Sequence, residues 1–433
     1  LSLLFYFETG LRMVSNKAKR LTIWILIGLG SGIIVGLLQY LLLPDHVNSF
    51  LVRYIHDPIG RIFLNGIRLM VVPLVMVSLT LGTAGIGDIN KLGRIGGKTM
   101  GIYLLTTAIA ISVGFLLAVV IKPGTGLEIP MDADFQGGES PFIMDILVNI
   151  VPTNPIASMA NGSMLQIIFF AILSGLAVAM IGKKADPVVK VLESADKIIQ
   201  KMVEMIMYFA PIGVFGLIAK VIAGKGLAIF IPLLKYMFTV FGALSIHALV
   251  IYPIFLFLFS GLNPLRFYAN IYPAMIVAFS TSSSNASLPV TMKVANERLG
   301  AKESISSFTL PLGATINMDG TAIMQGVATV FIAGVYGIDL TLVDFLRVVL
   351  MATLASIGTA GVPGVGLIML SMVLTEIGLP LEGIGIILGV DRLLDMTRTA
   401  VNIAGDLMTT SVVAKSESEF SEEIFYAKNE VSE

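Results

Sequence analysis

Residues 21–43 read "LTIWILIGLGSGIIVGLLQYLLL", a run without a single charge. Such a run matches the roughly 20 apolar residues that cross a hydrocarbon core. In hydrocarbon every backbone N–H and C=O must be satisfied by the protein, so such a stretch has few options beyond a helix or a closed barrel. Further long apolar segments follow at about 55–85, 90–122, 143–182, 185–222 and 228–260. Lys17, Lys19 and Arg20 precede the first run, and such a basic flank favours a cytoplasmic N-terminus. Trp24 and Tyr40 near its ends suit interfacial anchoring, and Gly28, Gly32 and Gly36 at four-residue spacing permit close helix packing. No cleavable signal peptide is read in "LSLLFYFETGLRMV", and the stretch before Met13 reads as an alternative start or an extension.

Composition narrows the class. Only 13% of residues are charged, about half the proportion usual in soluble domains, and mean hydropathy is +0.90. A net charge of −1 supplies no basic footprint for nucleic acid. With no cysteine, disulfides, thiolate metal sites and cysteine nucleophiles are excluded. His46, His56 and His247 are too scattered for a metal centre, and His247, in "SIHALV", reads as a hydrogen-bonded membrane histidine. Residues 185–207 carry Lys190, Glu193, Asp196, Lys197 and Lys201 and read as amphipathic, beginning outside the lipid.

After residue 263 the apolar stretches are interrupted by small polar residues. "AFSTSSSNASLPV" (278–290), "ATINMDGTA" (314–322) and "LASIGTAGVPGVG" (354–366) lie where a continuous helix would need no break. Unwound backbone at membrane depth is tolerated only where it is buried in protein or lines a wet cavity. The interruptions recur: the stretches near Ser284 and Thr359 lie about 75 residues apart, as do "NMDGT" and the Asp395 region. A duplicated broken-helix design points to the binding site of a secondary transporter.

Charge is concentrated in "GVDRLLDMTRTAVNIAGD" (389–406). At about 100° per residue, Asp395, Arg398, Thr399, Asn402 and Asp406 fall within about 80° of Asp391, with Met396, Ala400, Ile403 and Leu407 on the other side. Each charge costs about 2.5–3.5 kcal/mol at a bilayer centre on insertion scales. Asp319, Asp391, Asp395 and Asp406 outnumber Arg392 and Arg398 by two. Asp319 is also the only charged residue between Glu303 and Asp339, with Asn317 and Thr321 beside it. The natural completion is bound cations held by hard oxygen ligands. Protonation of some carboxylates is the competing solution.

"STSSSNASLP", "GATINMDGTA", "ASIGTAGVPG", "DRLLDMTRTAVNIAGD" and the earlier "NIVPTNPIASMANGSML" occur in one order from Lys17 to Lys415. On these motifs the chain resembles the glutamate transporter family, the dicarboxylate/amino acid:cation symporters, and its prokaryotic members in particular. The resemblance implies an all-α multi-pass protein of the cell membrane, with eight transmembrane helices, two re-entrant helical hairpins and inverted repeats. It implies a homotrimer with both termini cytoplasmic. A scaffold of helices 1–2 (21–85) and 4–5 (143–222) would hold a mobile transport domain. That domain would comprise helix 3 (90–122) and residues 228–414: helix 6, hairpin 1 (264–298), helix 7 (303–336), hairpin 2 (340–378) and helix 8 (381–414). It would cross the membrane by an elevator movement, with the second hairpin gating the site. Residues 1–20 would be a cytoplasmic segment and 415–433 an acidic, disordered tail.

The resemblance also assigns residues. Arg398 would pair with a substrate side-chain carboxylate and Asp395 with the substrate ammonium. Asn402, Thr321 and Thr399 would add polar contacts, and Ser282, Ser284, Val362 and Gly366 the hairpin-tip contacts. Three sodium sites would comprise Asp406, Asn402, Asn317 and Gly313; then Thr315, Ser356, Ile357 and Thr359; then Tyr103, Thr106, Thr107, Asn317 and Asp319. Sodium would be co-transported, and no organic cofactor is implied. Two departures stand out. Ser282 replaces an arginine of some archaeal members while Arg392 is basic on the last helix, where animal members have their arginine at the position of Met396. Gln325 replaces the proton-carrying glutamate of animal members. Holding both Asp395 and Arg398, the chain suits glutamate or aspartate rather than a C4-dicarboxylate or a neutral amino acid.

Two other classes are weighed. "GIGD" at Gly85 to Asp88 matches the G-x-G-D of intramembrane aspartyl proteases, but these need a second aspartate after tyrosine, and the chain has no Tyr-Asp. A passive channel would differ from a symporter in showing flux indifferent to any cation gradient.

Overall fold

The structure, a computed structural model, describes residues 2–84, 92–126, 148, 150–356 and 364–427. Among these, every element is helical apart from one isolated bridge between Ala301 and Phe420. Among the described residues six helical stretches are long and apolar enough to cross a membrane: Ile23–Leu42, Asp45–Ala84, Arg94–Ile121, Leu165–Tyr208, Gly226–Ser260 and Glu303–Val335. Their length and composition are those of membrane-crossing helices. Ala210–Gly224 is shorter than a full span, because the expected fifth helix is divided at Phe209. Ile384–Ser416 is 33 residues long but carries Asp391, Arg392, Asp395, Arg398, Asp406 and Lys415, which set it apart from the apolar spans.

In chain order the first helices are α1 (Ser2–Leu42), α2 (Asp45–Ala84), α3 (Leu92–Ile121) and the short α4 (Pro155–Asn161). Then come α5 (Met164–Ile181), α6 (Asp186–Tyr208), α7 (Ala210–Lys225) and α8 (Gly226–Ser260). Helices α1, α2, α5, α6 and α7 pack on one another. The Gly28/Gly32/Gly36 stripe meets the backbone of α7 in register. A Cβ at 32 would lie 2.9 Å from the Phe215 carbonyl oxygen, and one at 36 would lie 2.8 Å from that of Ala219. Small residues at this spacing let the backbones touch, as the sequence indicates.

The remaining helices surround a buried pair. Helices α9 (Pro264–Thr281) and α10 (Ser284–Val294) form a hairpin. Asn263 caps α9 through hydrogen bonds from Leu265 and Arg266 N–H, with Pro264 in the first turn. α9 ends at Ser282, whose φ of 50° lies in the left-handed region, an uncommon conformation outside glycine. Ser283 then caps α10 through Ala286 N–H. Next come α11 (Glu303–Ile316) and α12 (Asp319–Val335), a single path broken at Asn317 and Met318, where "NMDGT" suggested a break. Helices α13 (Leu342–Ser356) and α14 (Val365–Glu376) pack together as a second pair, their connection lying outside the described residues. α15 (Ile384–Ser416) packs against α9, α11 and α12, and α12 against α3. In the most apolar stretch of 303–335, 89% of residues are buried, against 28% in 23–42. The broken helix is therefore the centre and α1 the lipid-facing periphery.

The tail corrects the expectation of disorder as far as Ala427. Glu419 accepts from Lys302 N–H through its carbonyl, Ser421 N–H donates to Gly300, and α16 (Glu422–Tyr426) buries Phe425 completely. Arg266 Nε and Asn270 Nδ2 donate to the Phe425 carbonyl at 3.1 and 3.0 Å. Glu417 pairs with Lys98 at 2.6 Å and also with Arg94. Charge is thus met by charge from the start of α3, so these residues have partners that a free acidic tail lacks. Hydrogen bonds from Lys98 and Arg94 hold the Glu417 carboxyl below its ordinary pKa. Its contribution is present above the unfolded value, about 4.3, and is lost as pH falls through the depressed value. Glu417→Gln is expected to cost no more than about 1 kcal/mol at pH 7, since both cations are exposed to screening solvent. Melting curves of the two proteins should converge as the pH is lowered below 4.

Candidate functional site

The site is built on α15. Its expected polar stripe is fully enclosed: Asp391, Asp395, Thr399, Asn402 and Asp406 are all buried, and Arg398 is 1% exposed. The charges sit in protein rather than lipid, as their cost requires.

Arg398 is gripped from two turns of its own helix. Nη1 donates to Asp391 Oδ1 at 2.7 Å and Nη2 to Asp395 Oδ1 at 2.9 Å, while Nε has no partner among the described residues. Arg392 approaches the other oxygen of Asp395 at 3.5 Å. Removing charge from water this completely is sustained only by well-placed partners. The sequence reading places Asp391 on the stripe but gives it no role. Its spacing of seven residues from Arg398, two helical turns, is the signal that pairs them.

Gly366 of α14 lies against this cluster. A Cβ there would sit 3.3 Å from Arg398 Nη2 and 3.4 Å from Thr321 Cγ2. Thr321, Gln325 and Ser356 line a small void of about 10 Å³ with Met318, Ala352 and Met369. The Thr399 hydroxyl is committed to the Asp395 carbonyl at 2.8 Å and that of Ser356 to Thr353 at 2.8 Å. Ser282 and Ser284 are buried at the turn of the first hairpin, and the Ser282 hydroxyl has no partner among the described residues. Ile357, Thr359 and Val362 lie outside the described residues, as do Gly85 to Asp88.

One turn further along α15 the break in the central helix closes onto it. Asn317 Nδ2 donates to Asp406 Oδ1 at 2.9 Å and to the Asn402 carbonyl at 3.0 Å. Gly320 N–H donates to Asn402 Oδ1 at 2.7 Å. Gly313 leaves no room for a side chain beside Asp406 and the Tyr103 hydroxyl. Tyr103 donates to the Thr309 carbonyl at 3.1 Å and Thr106 to the Tyr103 carbonyl at 3.1 Å. Asp319 is fully buried and accepts three bonds: Thr107 at 2.6 Å on Oδ1, then Tyr252 at 2.9 Å and His247 Nε2 at 3.1 Å on Oδ2. His247 is therefore the hydrogen-bonded histidine expected, but with a carboxylate of the site as its partner. Tyr252 escapes the sequence reading altogether.

Two buried carboxylates, Asp319 and Asp406, thus lie on either side of Gly313 and Gly405 in one oxygen-rich region that also holds Asn317, Asn402, Thr107 and Tyr103. The side-chain oxygen of Asn317 is buried without a partner among the described residues. Among those residues no group of three or more His, Asp or Glu is arranged to hold a metal. The donor set is amide, hydroxyl and carboxylate oxygen, which fits a hard monovalent cation better than a transition metal. Thr315 stands apart, its hydroxyl bonded to Leu312, and lines a cleft of about 340 Å³ between α11 and the Ser78 and Asp196 side chains of α2 and α6.

The model of the sodium:dicarboxylate symporter family matches residues 21–416. The chain belongs to this family. Members of the sodium:dicarboxylate symporter family are transporters, so this one is not an enzyme. The symporter is 38% identical over 408 residues to a proton/sodium-glutamate symport protein of Geobacillus stearothermophilus, covering 92% of this chain and 95% of the relative. It is 39% identical to a proton/glutamate-aspartate symporter of Escherichia coli (92% of each chain). It is 34% identical to a C4-dicarboxylate transport protein of Bacillus subtilis (93% and 95%). In this symporter "STSSSNASLP" falls on the turn of the first hairpin, "GATINMDGTA" on the helix break and "DRLLDMTRTAVNIAGD" on the charged stripe of α15, and the break and the stripe meet through Asn317, Gly320 and Asn402.

Proposed function

We propose that this chain is a secondary active symporter that takes up glutamate or aspartate with sodium ions. The observation that carries it is the buried Asp391–Arg398–Asp395 cluster next to a separate oxygen-rich cluster at the helix break. In the proposal Arg398 Nη1 and Nη2 exchange an internal carboxylate for that of the substrate side chain, in the bidentate geometry a guanidinium favours. Asp395 then takes the substrate ammonium, with Thr321, Asn402 and Thr399 around it, and Ser282, Ser284, Val362 and Gly366 supply the hairpin contacts. A C4-dicarboxylate would leave Asp395 as an unmatched buried anion.

Asp406, Asn402, Asn317 and Gly313 are the proposed ligands of one sodium. Tyr103, Thr106, Thr107, Asn317 and Asp319 are those of another, and Thr315, Ser356, Ile357 and Thr359 those of a third. Eight crossings, two re-entrant hairpins, a homotrimer, cytoplasmic termini and an elevator movement of the α3/α8–α15 body belong to the same proposal. A proton-coupled reading is favoured by the names of two relatives, which include protons. Against it stands Gln325, a side chain that cannot titrate, at the position of the animal members' proton-carrying glutamate.

Radiolabelled aspartate and glutamate uptake into proteoliposomes separates these readings. Concentrative uptake is expected with an imposed sodium gradient at equal pH on both sides. Uptake that follows a proton gradient in sodium-free buffer selects the proton reading, and flux indifferent to both selects a channel.

A further inference from the structure

His247 and Tyr252 are five residues apart on α8. In a regular helix, at about 100° per residue, they would point about 140° apart. Here residues His247–Ile251 form one π turn, whose i→i+5 hydrogen bonding brings residues five apart to the same face. Both side chains therefore reach a single atom, Asp319 Oδ2, at 3.1 and 2.9 Å. The rings brace each other edge to face, with centroids 4.6 Å apart. Both residues are fully buried. Facing an acceptor-only carboxylate, His247 presents its Nε2 as a donor, as the Tyr252 hydroxyl does. Gly405 of α15 completes the fit: a Cβ there would strike the Tyr252 hydroxyl and come within 2.6 Å of Asn317 Nδ2. The Tyr252 hydroxyl and the Asn317 amide thus flank the same glycine.

An ionised carboxylate offers about four lone-pair directions. His247 and Tyr252 fill the two on Oδ2, and Thr107 fills one on Oδ1. Among the described residues the remaining direction is on Oδ1, the oxygen turned toward Thr107, and the Asn317 side-chain oxygen nearby likewise has no partner among them. A carboxylate free to rotate would share an incoming cation between both oxygens and hold it in no fixed place.

We propose that His247 and Tyr252 are positioning residues for a cation site at Asp319, clamping Oδ2 so that Oδ1 alone faces the ion. This rests on the reading that Asp319 helps to hold a coupled sodium. The pair touches neither ion nor amino acid, so its effect falls on sodium dependence and not on substrate recognition.

The test uses the purified full chain, with sodium chloride as the varied ligand and radiolabelled aspartate as the reporter. Tyr252→Phe removes one hydroxyl without changing shape, and His247→Leu removes the ring donor. Loss of one hydrogen bond to a charged group should raise the half-saturating sodium concentration about tenfold in each. His247→Gln, which retains an N–H donor, should recover to within about threefold of the parent, given the smaller loss when a donor is kept. Aspartate affinity at saturating sodium should not move, while the melting temperature in sodium-free potassium buffer should fall modestly, because each variant removes a hydrogen bond to a buried carboxylate. Thermal stabilisation by sodium alone should weaken in parallel, a readout that needs no transport. Tyr252→Phe and His247→Leu titrating like the parent, or losing aspartate affinity at saturating sodium instead, overturns the proposal. Should His247→Leu fail to fold, Tyr252→Phe and His247→Gln still decide it. Parent protein that binds aspartate identically with and without sodium defeats the sodium reading itself, and this inference with it. A sodium-dependent parent with unaltered variants defeats the inference alone.

Discussion

Arg398→Cys is expected to remove high-affinity uptake of glutamate and aspartate and to shift the transporter toward neutral amino acids. Arg398 is 1% exposed and joins Asp391 and Asp395 at 2.7 and 2.9 Å. Two charge-assisted hydrogen bonds to a substrate carboxylate contribute about 1.5–3 kcal/mol each. Losing them should weaken acidic substrates by about a hundredfold or more. A neutral amino acid never made those bonds and still meets Asp395 through its ammonium. Competition by glutamate, serine and alanine against labelled aspartate reads the change of order directly. The substitution also strands two buried carboxylates, and breaking such a pair costs about 3–5 kcal/mol, so the melting temperature should fall in the same preparation. Asp391→Asn is the control. It leaves the Arg398–Asp395 bond in place and should preserve the order of competitors at a smaller cost. The substrate role of Arg398 is wrong if the cysteine variant takes up acidic amino acids with unchanged affinity and order.

What made this cluster legible in the sequence was the expense of its members. Five ionised residues within 389–406, in an otherwise apolar region, can be retained only by burial among partners, and a 100° repeat is enough to align them. The break at Asn317 and Met318 and the turn at Ser282 and Ser283 were legible for a related reason. Polar residues in the middle of an apolar span advertise irregular backbone. Less legible was anything that depends on packing between elements distant in sequence. Tyr252 looks like any aromatic residue of a membrane helix until a π turn aims it at Asp319, 67 residues away. Tyr103, Thr106 and Thr107 read as plain helix, and only the family resemblance singled them out. The tail was misread because acidic composition suggests solvation, whereas Arg94, Lys98, Arg266 and Lys302 that receive it are scattered along the chain. Partners as far apart in sequence as Arg94 and Glu417, 323 residues, leave no local pattern.

Gly320→Ala is expected to be the most damaging single methyl group that can be added near the site. Gly320 opens α12 immediately after Asp319, and its Cβ would lie 2.7 Å from the Arg398 carbonyl oxygen and 2.8 Å from the Arg398 Cα. Both neighbours are backbone of α15, so no side chain can swing aside. Relief requires the two helices to separate, which stretches the 2.7 Å bond from Gly320 N–H to Asn402 and the 3.0 Å bond from Asn317 to the Asn402 carbonyl. Overpacking costs about 1–3 kcal/mol, and each weakened hydrogen bond adds about 1 kcal/mol. A loss of about 3–5 kcal/mol in stability is the expected sum. The same displacement moves Asp319 and Asn317 relative to Asp406, so sodium-dependent aspartate binding should weaken by at least about tenfold. Gly101→Ala provides the comparison, because a Cβ at that helical position meets nothing within 4 Å. It should be neutral or slightly stabilising, since alanine is the better helix former. If Gly320→Ala melts and titrates with sodium like Gly101→Ala, then α12 and α15 do not meet backbone to backbone. The cation cluster would then lack the rigid contact on which its geometry depends.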